Sequence, residues 1–150
     1  YKDIGGAIVE VNAAPGFRMH VAPSEGQPRD VAGKVMDMLF DASAPTRIPI
    51  AAVTGTNGKT TCAHLLAQLL NGLGMPCGLV GTLRCGMPGH LVDTGMTTPV
   101  VFTVHSNLAL IEQQDGQAVA MEVSSHGLDQ GRVDGVYFHT ALITNLTRDH

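Results

Sequence analysis

The sequence has no tryptophan and only 4% aromatic residues in 150 positions. Charged side chains are also sparse, at 15%, and the formal balance is −4 at neutral pH. These shortages exclude a broad basic surface with interleaved aromatics, the usual footprint of a nucleic-acid binder. No apolar run approaches the ~20 residues needed to cross a bilayer, and Tyr1–Glu10 lacks the layout of a signal peptide. Neither nucleic acid nor a membrane is therefore expected as a partner. Cysteine is rare too. Cys62, Cys77 and Cys85 are odd in number and lack metal-ligand spacing, which predicts free, packed thiols in a reducing cytoplasm. Among the histidines, His20, His64, His90 and His105 form no ligand cluster in the sequence. The chain starts at Tyr1 rather than methionine and stops at His150 inside a polar segment. It reads as an internal piece of a longer protein.

Glycine, by contrast, is abundant, and one glycine-turned run dominates. Val53-Thr54-Gly55-Thr56-Asn57-Gly58-Lys59-Thr60-Thr61 follows the apolar run Ile48–Val53 and precedes a helical pattern over Cys62–Leu73. A strand, a tight loop and a helix N-terminus form a phosphate cradle, because converging N–H groups and the helix dipole both favour an anion. In that arrangement Lys59 reaches the β- and γ-phosphates and stabilises charge in the transition state. Thr60 offers its hydroxyl to Mg²⁺. The general phosphate-loop pattern has four residues between its first glycine and Gly-Lys; here Gly55 leaves only Thr56 and Asn57. The strand–loop–helix context carries the reading, which predicts a nucleoside-triphosphate site at Gly55, Thr56, Asn57, Gly58, Lys59, Thr60 and Thr61.

The chain divides near residue 46. In residues 1–46, Ala7–Asn12 alternates and is β-branched, which predicts a strand, and the Pro- and Gly-rich stretch Ala13–Arg29 predicts a loop. Asp30 is placed to cap a helix with Val31, Val35, Met38 and Leu39 on one face. Ala42–Arg47 reads as a linker. Residues 47–150 then alternate strand and helix. Strands are expected at Ile48–Val53, Cys77–Val80, Ala118–Glu122 and Ala141–Thr144, and helices at Lys59–Leu73 and about Val104–Gln113. Apolar strands separated by helices predict an α/β fold with a mostly parallel sheet buried on both faces. Ligands in such sheets bind beyond the carboxyl ends of the strands. The segments Gly55–Thr61, Gly81-Thr82, Glu122–His126 and Asn145–His150 all fall there.

Glu122 ends an apolar strand, where a carboxylate is costly to bury unless it meets a cation. It is therefore a candidate Mg²⁺ ligand opposite the phosphate loop. His150 is a candidate for a second divalent ion, with Asp149 orienting it or capping a helix. Thr97, Thr98, Ser124, Gln130 and Arg132 are polar groups expected around the same crevice. Arg132 either meets a phosphate or carboxylate with its planar fork or pairs with Asp129 or Asp134. Ser125 and His126 are adjacent, but adjacency in sequence does not make a nucleophile–base pair.

Taken together, Thr54–Thr61, Gly81-Thr82, Thr97-Thr98-Pro99, Ala120–Val133 (AMEVSSHGLDQGRV) and Thr144–His150 (TNLTRDH) resemble the central domain of the Mur ligases. Within that family they look most like the branch extending UDP-N-acetylmuramoyl-L-alanyl-D-glutamate. The resemblance implies ATP at Gly55–Thr61 and one Mg²⁺ on Thr60 and Glu122, with the second on His150. It places a UDP-muramoyl peptide against Thr97, Thr98, Ser124, Gln130 and Arg132, with an amino acid as co-substrate. Val100 departs from the aspartate usual after Thr-Thr-Pro in that family. Residues 1–46 instead look like the end of the ATP-grasp domain of cyanophycin synthetase, leading into a Mur-ligase-like module at Arg47-Ile48-Pro49-Ile50. That likeness implies Glu10 and Asn12 as Mg²⁺ ligands of a separate ATP site, and an aspartate-based peptide as acceptor. Both likenesses imply an ATP-dependent ligase joining a carboxylate to an amine through an acyl phosphate. A nucleotide-binding module without catalysis and a plain NTPase or kinase are the competing classes.

Overall fold

In a computed structural model, residues 10–13, 16–39 and 47–147 are described. The chain forms two compact units, Tyr1–Pro45 and Thr46–His150.

The first unit holds two helices, α1 (Arg18–Val21) and α2 (Val31–Leu39). The Asp30 carboxylate accepts from the Gly33 amide at 2.7 Å, the bond expected of an N-cap. The short helix α1 falls inside the stretch expected to be loop. Residues 10–12, the described end of the expected first strand, are not in a strand, and residues 7–9 lie outside the described residues. The expected linker falls largely in residues 40–46, which are outside them as well.

The second unit is a three-layer α/β sandwich. Its strands are β1 (Ile50–Thr54), β2 (Cys77–Val80), β3 (Arg84–Gly86), β4 (Val92–Asp93), β5 (Ala118–Glu122) and β6 (Thr140–Ile143). They lie side by side in the order β4-β3-β2-β5-β1-β6. The four strands expected from sequence pair in parallel; β3 and β4 add an antiparallel edge. The helices are α3 (Lys59–Gly72), α4 (Val101–Gln113) and α5 (Ser125–Asp129).

Alternation along the strands builds two cores. On the α3 face, Val53, Cys77, Leu79, Ala118 and Ala120 pack with Ala63 and Ala67 of the helix. Small side chains on both sides let α3 approach the sheet closely. On the other face, Ile50, Ala52, Val80, Val119 and Met121 pack with Val104 and Ile111 of α4. A Cβ at Gly78 would lie 2.6 Å from the Ile111 side chain, so α4 rests directly on the β2 backbone. Central β5 is buried along its whole length. Edge strand β6 is not: all four of its residues are exposed, which corrects the expectation of a strand buried on both faces.

Candidate nucleotide and acceptor site

Beyond the carboxyl ends of β1, β2, β5 and β6 the described parts of the four expected segments converge. Gly55 turns the chain out of β1 at φ +123, and a Cβ there would collide with the Thr144 hydroxyl and the Asn145 carbonyl. Only glycine fits where the loop crosses so close to the chain after β6. Gly58, at φ +85, enters α3 without a side-chain cap, and the first turn carries no acidic residue. The first amides of α3 therefore have no intrahelical partner and no capping oxygen, the condition under which a helix start receives an anion.

The loop is clamped from the β6 side. Thr56 and Asn57 donate their amides to Asn145 Oδ1 at 2.9 and 3.1 Å. The Thr144 hydroxyl donates to the Asn57 carbonyl at 2.6 Å, and the Thr56 hydroxyl to the Thr147 carbonyl at 2.6 Å. Lys59 folds over its own loop, with Nζ donating to the Gly55 and Thr56 carbonyls at 2.6 and 3.0 Å. Those neutral acceptors leave its charge without a carboxylate partner among the described residues.

Glu122, at the end of β5, is completely buried. Its Oε2 accepts from the Thr60 hydroxyl at 2.8 Å and the Thr82 hydroxyl at 3.1 Å, and its Oε1 accepts from the Thr82 amide at 3.0 Å. The Thr82 oxygen also lies 2.9 Å from the Thr97 hydroxyl. The Thr82 hydroxyl carries one proton, and Thr97 Oγ1 and the carboxylate are its two acceptors. No lysine or arginine pairs with Glu122 among the described residues. A buried carboxylate held only by neutral donors is suited to a hard cation in a way that an ion-paired one is not. No group of three or more His, Cys, Asp or Glu forms a metal cage among the described residues. That donor set fits Mg²⁺, which takes one or two protein ligands and keeps phosphate and water for the rest.

On the β2 side of β5, Thr98 is buried, and its hydroxyl accepts from the Ser124 amide at 3.0 Å. It also lies 3.3 Å from both the Glu122 carbonyl and Ser124 Oγ. The Thr98 hydroxyl is thus spent inside the protein and presents nothing to the crevice. Ser124 caps α5, with Oγ accepting from the Gly127 amide at 3.0 Å. Arg132 pairs with neither Asp129 nor Asp134; its Nη1 donates to the Thr98 carbonyl and its Nε to Gln130 Oε1, both at 2.8 Å. Thr98, Ser124, Gln130 and Arg132 are thus linked largely by bonds to each other, and Thr97 is tied to Thr82.

In the other unit, the Asn12 side-chain amide donates to the Glu10 carboxylate at 2.7 Å, and both side chains are exposed. His150 lies outside the described residues, as do Arg148 and Asp149. Thr82, Asn145 and Thr94 have partners here that the sequence does not specify, although Gly81-Thr82 and Thr144–His150 fall among the expected segments. A polar residue just past each apolar strand was the available signal.

Residues 53–150 match the family described as the Mur ligase middle domain. This chain belongs to the Mur ligase family. It is 47% identical over 142 residues to a UDP-N-acetylmuramoyl-L-alanyl-D-glutamate--2,6-diaminopimelate ligase of Xanthomonas oryzae pv. oryzae (strain MAFF 311018), covering 95% of this chain and 26% of that protein. A ligase of the same name from Chromobacterium violaceum is 45% identical over 152 residues, with 97% and 30% covered. A solved structure of a ligase of that name superposes with a TM-score of 0.64 at 38% identity, covering 70% of this chain and 21% of that one. The chain thus spans about a quarter of the length of the curated relatives it matches. Its α/β fold, a mostly parallel sheet flanked by helices, is that of the family. Among the described residues, no helix is long and apolar enough to cross a membrane.

Proposed function

We propose that the full-length protein is an ATP-dependent ligase that adds an amino acid to UDP-N-acetylmuramoyl-L-alanyl-D-glutamate. The observation that carries this reading is Glu122, buried, without a cationic partner, and tied by Thr60 to the start of α3. The relatives named above support the acceptor, and the amino acid in their names, 2,6-diaminopimelate, is the first to test.

In this reading, Gly55–Thr61 cradle the triphosphate of ATP, and Lys59 swings from its loop carbonyls to the β- and γ-phosphates. Thr60 and Glu122 would hold a Mg²⁺, with His150 assigned to a second, and the ion would supply positive charge against the phosphates. The acceptor carboxylate attacks the γ-phosphorus, ADP leaves, and an acyl phosphate forms. The amine then adds to the acyl carbon, and the tetrahedral intermediate expels phosphate. For the first step this unit supplies positioning and positive charge, chiefly through Lys59 and the α3 amides. Thr97, Gln130 and Arg132 orient the UDP-muramoyl peptide, while Thr98 and Ser124 hold that segment in place.

The test is amine-dependent ADP release by the full-length protein. Release with the UDP-muramoyl dipeptide and 2,6-diaminopimelate supports the reading. Release only with an aspartate-based acceptor favours the cyanophycin-type alternative, for which the adjacent Glu10 and Asn12 side chains are the structural hint. Nucleotide binding without release under any acceptor leaves a non-catalytic module.

A further inference from the structure

Thr94 follows β4 and is half-buried against the turn that leaves β2. Its hydroxyl lies 2.6 Å from the Gly81 carbonyl and 3.0 Å from the Thr82 carbonyl, and its amide donates to the Leu83 carbonyl at 3.4 Å. The same turn meets Glu122 on its other side. The Thr82 amide and hydroxyl both donate to that carboxylate, and a Cβ at Gly81 would run into Glu122 Oε1. Turn and carboxylate are in contact without slack, so a displacement of one is felt by the other. Gly95, at φ +67, then redirects the chain toward Thr97, whose hydroxyl closes the network on Thr82. One hydroxyl therefore pins the segment bearing Thr97 to the turn that aims Glu122.

We propose that Thr94 is a positioning residue: its hydroxyl clamps the Gly81–Thr82 turn so that the Glu122 carboxylate stays aimed at the cation beside Thr60. The inference deepens the proposed function and rests on its Mg²⁺ assignment. Direct hydrogen-bond partners of a metal ligand, as Thr82 is of Glu122, typically change metal affinity or activity by about 10–100-fold when lost, and Thr94 acts one bond further out by holding Thr82 in place.

The test uses the full-length protein with Thr94→Val, which keeps the shape and deletes the donor, and Thr94→Ser, which keeps the donor. Thr94→Val should raise the Mg²⁺ midpoint for ATP binding about tenfold and speed hydrogen exchange at the ligand-free Thr82 amide. Thr94→Ser should restore both. Parent-like exchange and a parent-like Mg²⁺ midpoint in Thr94→Val would overturn the proposal. So would equal losses in both variants accompanied by equal falls in unfolding midpoint, since that pattern marks packing alone. Should the parent release no ADP with any acceptor, the functional reading fails separately. The exchange measurement needs no ligand and still decides the role of Thr94.

Discussion

Thr60 Oγ1 and Glu122 Oε2 lie 2.8 Å apart across 62 residues of chain. One residue stands at the second position of α3 and the other at the last position of β5, so the bond ties the phosphate loop to the centre of the sheet. The register of β1 against β5, with Val53 beside Glu122, puts both residues at the same height. Strand pairing thus sets the geometry on which the proposed metal site depends.

Replacing Glu122 should therefore separate metal binding from folding. Glu122→Ala strands the Thr60 hydroxyl and the Thr82 amide, at about 1–3 kcal/mol for each group left unpaired, while the Thr82 hydroxyl keeps Thr97 as an acceptor. Glu122→Gln keeps an acceptor and most of the shape. Both variants should need more Mg²⁺ for ATP binding than the parent, and Glu122→Gln should unfold close to the parent midpoint. Superimposable Mg²⁺ titrations would reduce Glu122 to a strand-end residue.

Lys59 makes a second, independent case. Its ammonium is parked on two carbonyls of its own loop, acceptors that a triphosphate readily outcompetes. Lys59→Ala in the full-length protein should weaken ATP binding and lower turnover by roughly 10²-fold or more if it stabilises transition-state charge. An unchanged rate together with an unchanged ATP affinity would remove it from the mechanism.

Much of this site was legible because it is local. Gly55–Thr61 is a contiguous loop, and Ala118–Glu122 is an apolar run that ends on a carboxylate. The sequence was less informative where a contact is distant or an element is very short. Arg84–Gly86 and Val92–Asp93 are too short for periodicity and exist as strands because β2 offers an edge to pair with. Ala141–Thr144 looks like a buried strand, yet at the edge of the sheet Thr140–Ile143 are exposed. Thr98 looked like a ligand contact because it is polar and near a crevice. Its burial comes from Ser124, 26 residues away, whose amide it accepts. Thr82 and Asn145 went without roles for the same reason: their partners lie 40 and 89 residues off.

Cys85 carries a pH-dependent contribution to stability. It is buried in the α4-side core, and desolvation pushes its thiol from 9.0 up to about 11. The folded state thus keeps the proton that the unfolded chain releases. The contribution is complete below pH 9.0 and lost as pH rises through about 11. Over that window the parent should lose stability more steeply than Cys85→Ala, measured as unfolding midpoint against pH. Parallel curves would mean that the thiol titrates as it does in the unfolded chain. Burial also raises the Cys77 thiol, against a smaller lowering by its backbone hydrogen bond, so both should resist alkylation in the native state.

Val100 is the N-cap of α4, with φ −64 and ψ 155, and makes no side-chain cap bond. That backbone conformation is the one a capping aspartate or asparagine adopts, and the Val100 side chain is about half exposed. An aspartate here, the residue expected from the family resemblance, would accept from an amide of the first turn and add favourable charge at the helix start. Val100→Asp should therefore stabilise the helix by about 1 kcal/mol, seen as slower hydrogen exchange along Val101–Val104. Val100→Asn should recover most of the gain, since it can accept the same bond without the charge. The change touches none of the residues assigned to ATP or Mg²⁺, so ATP affinity should stay at the parent value. Faster exchange in the aspartate variant would show that carboxylates near Pro99 are disfavoured and that valine is suited to this site. Slower exchange with altered acceptor binding would instead place position 100 at the acceptor.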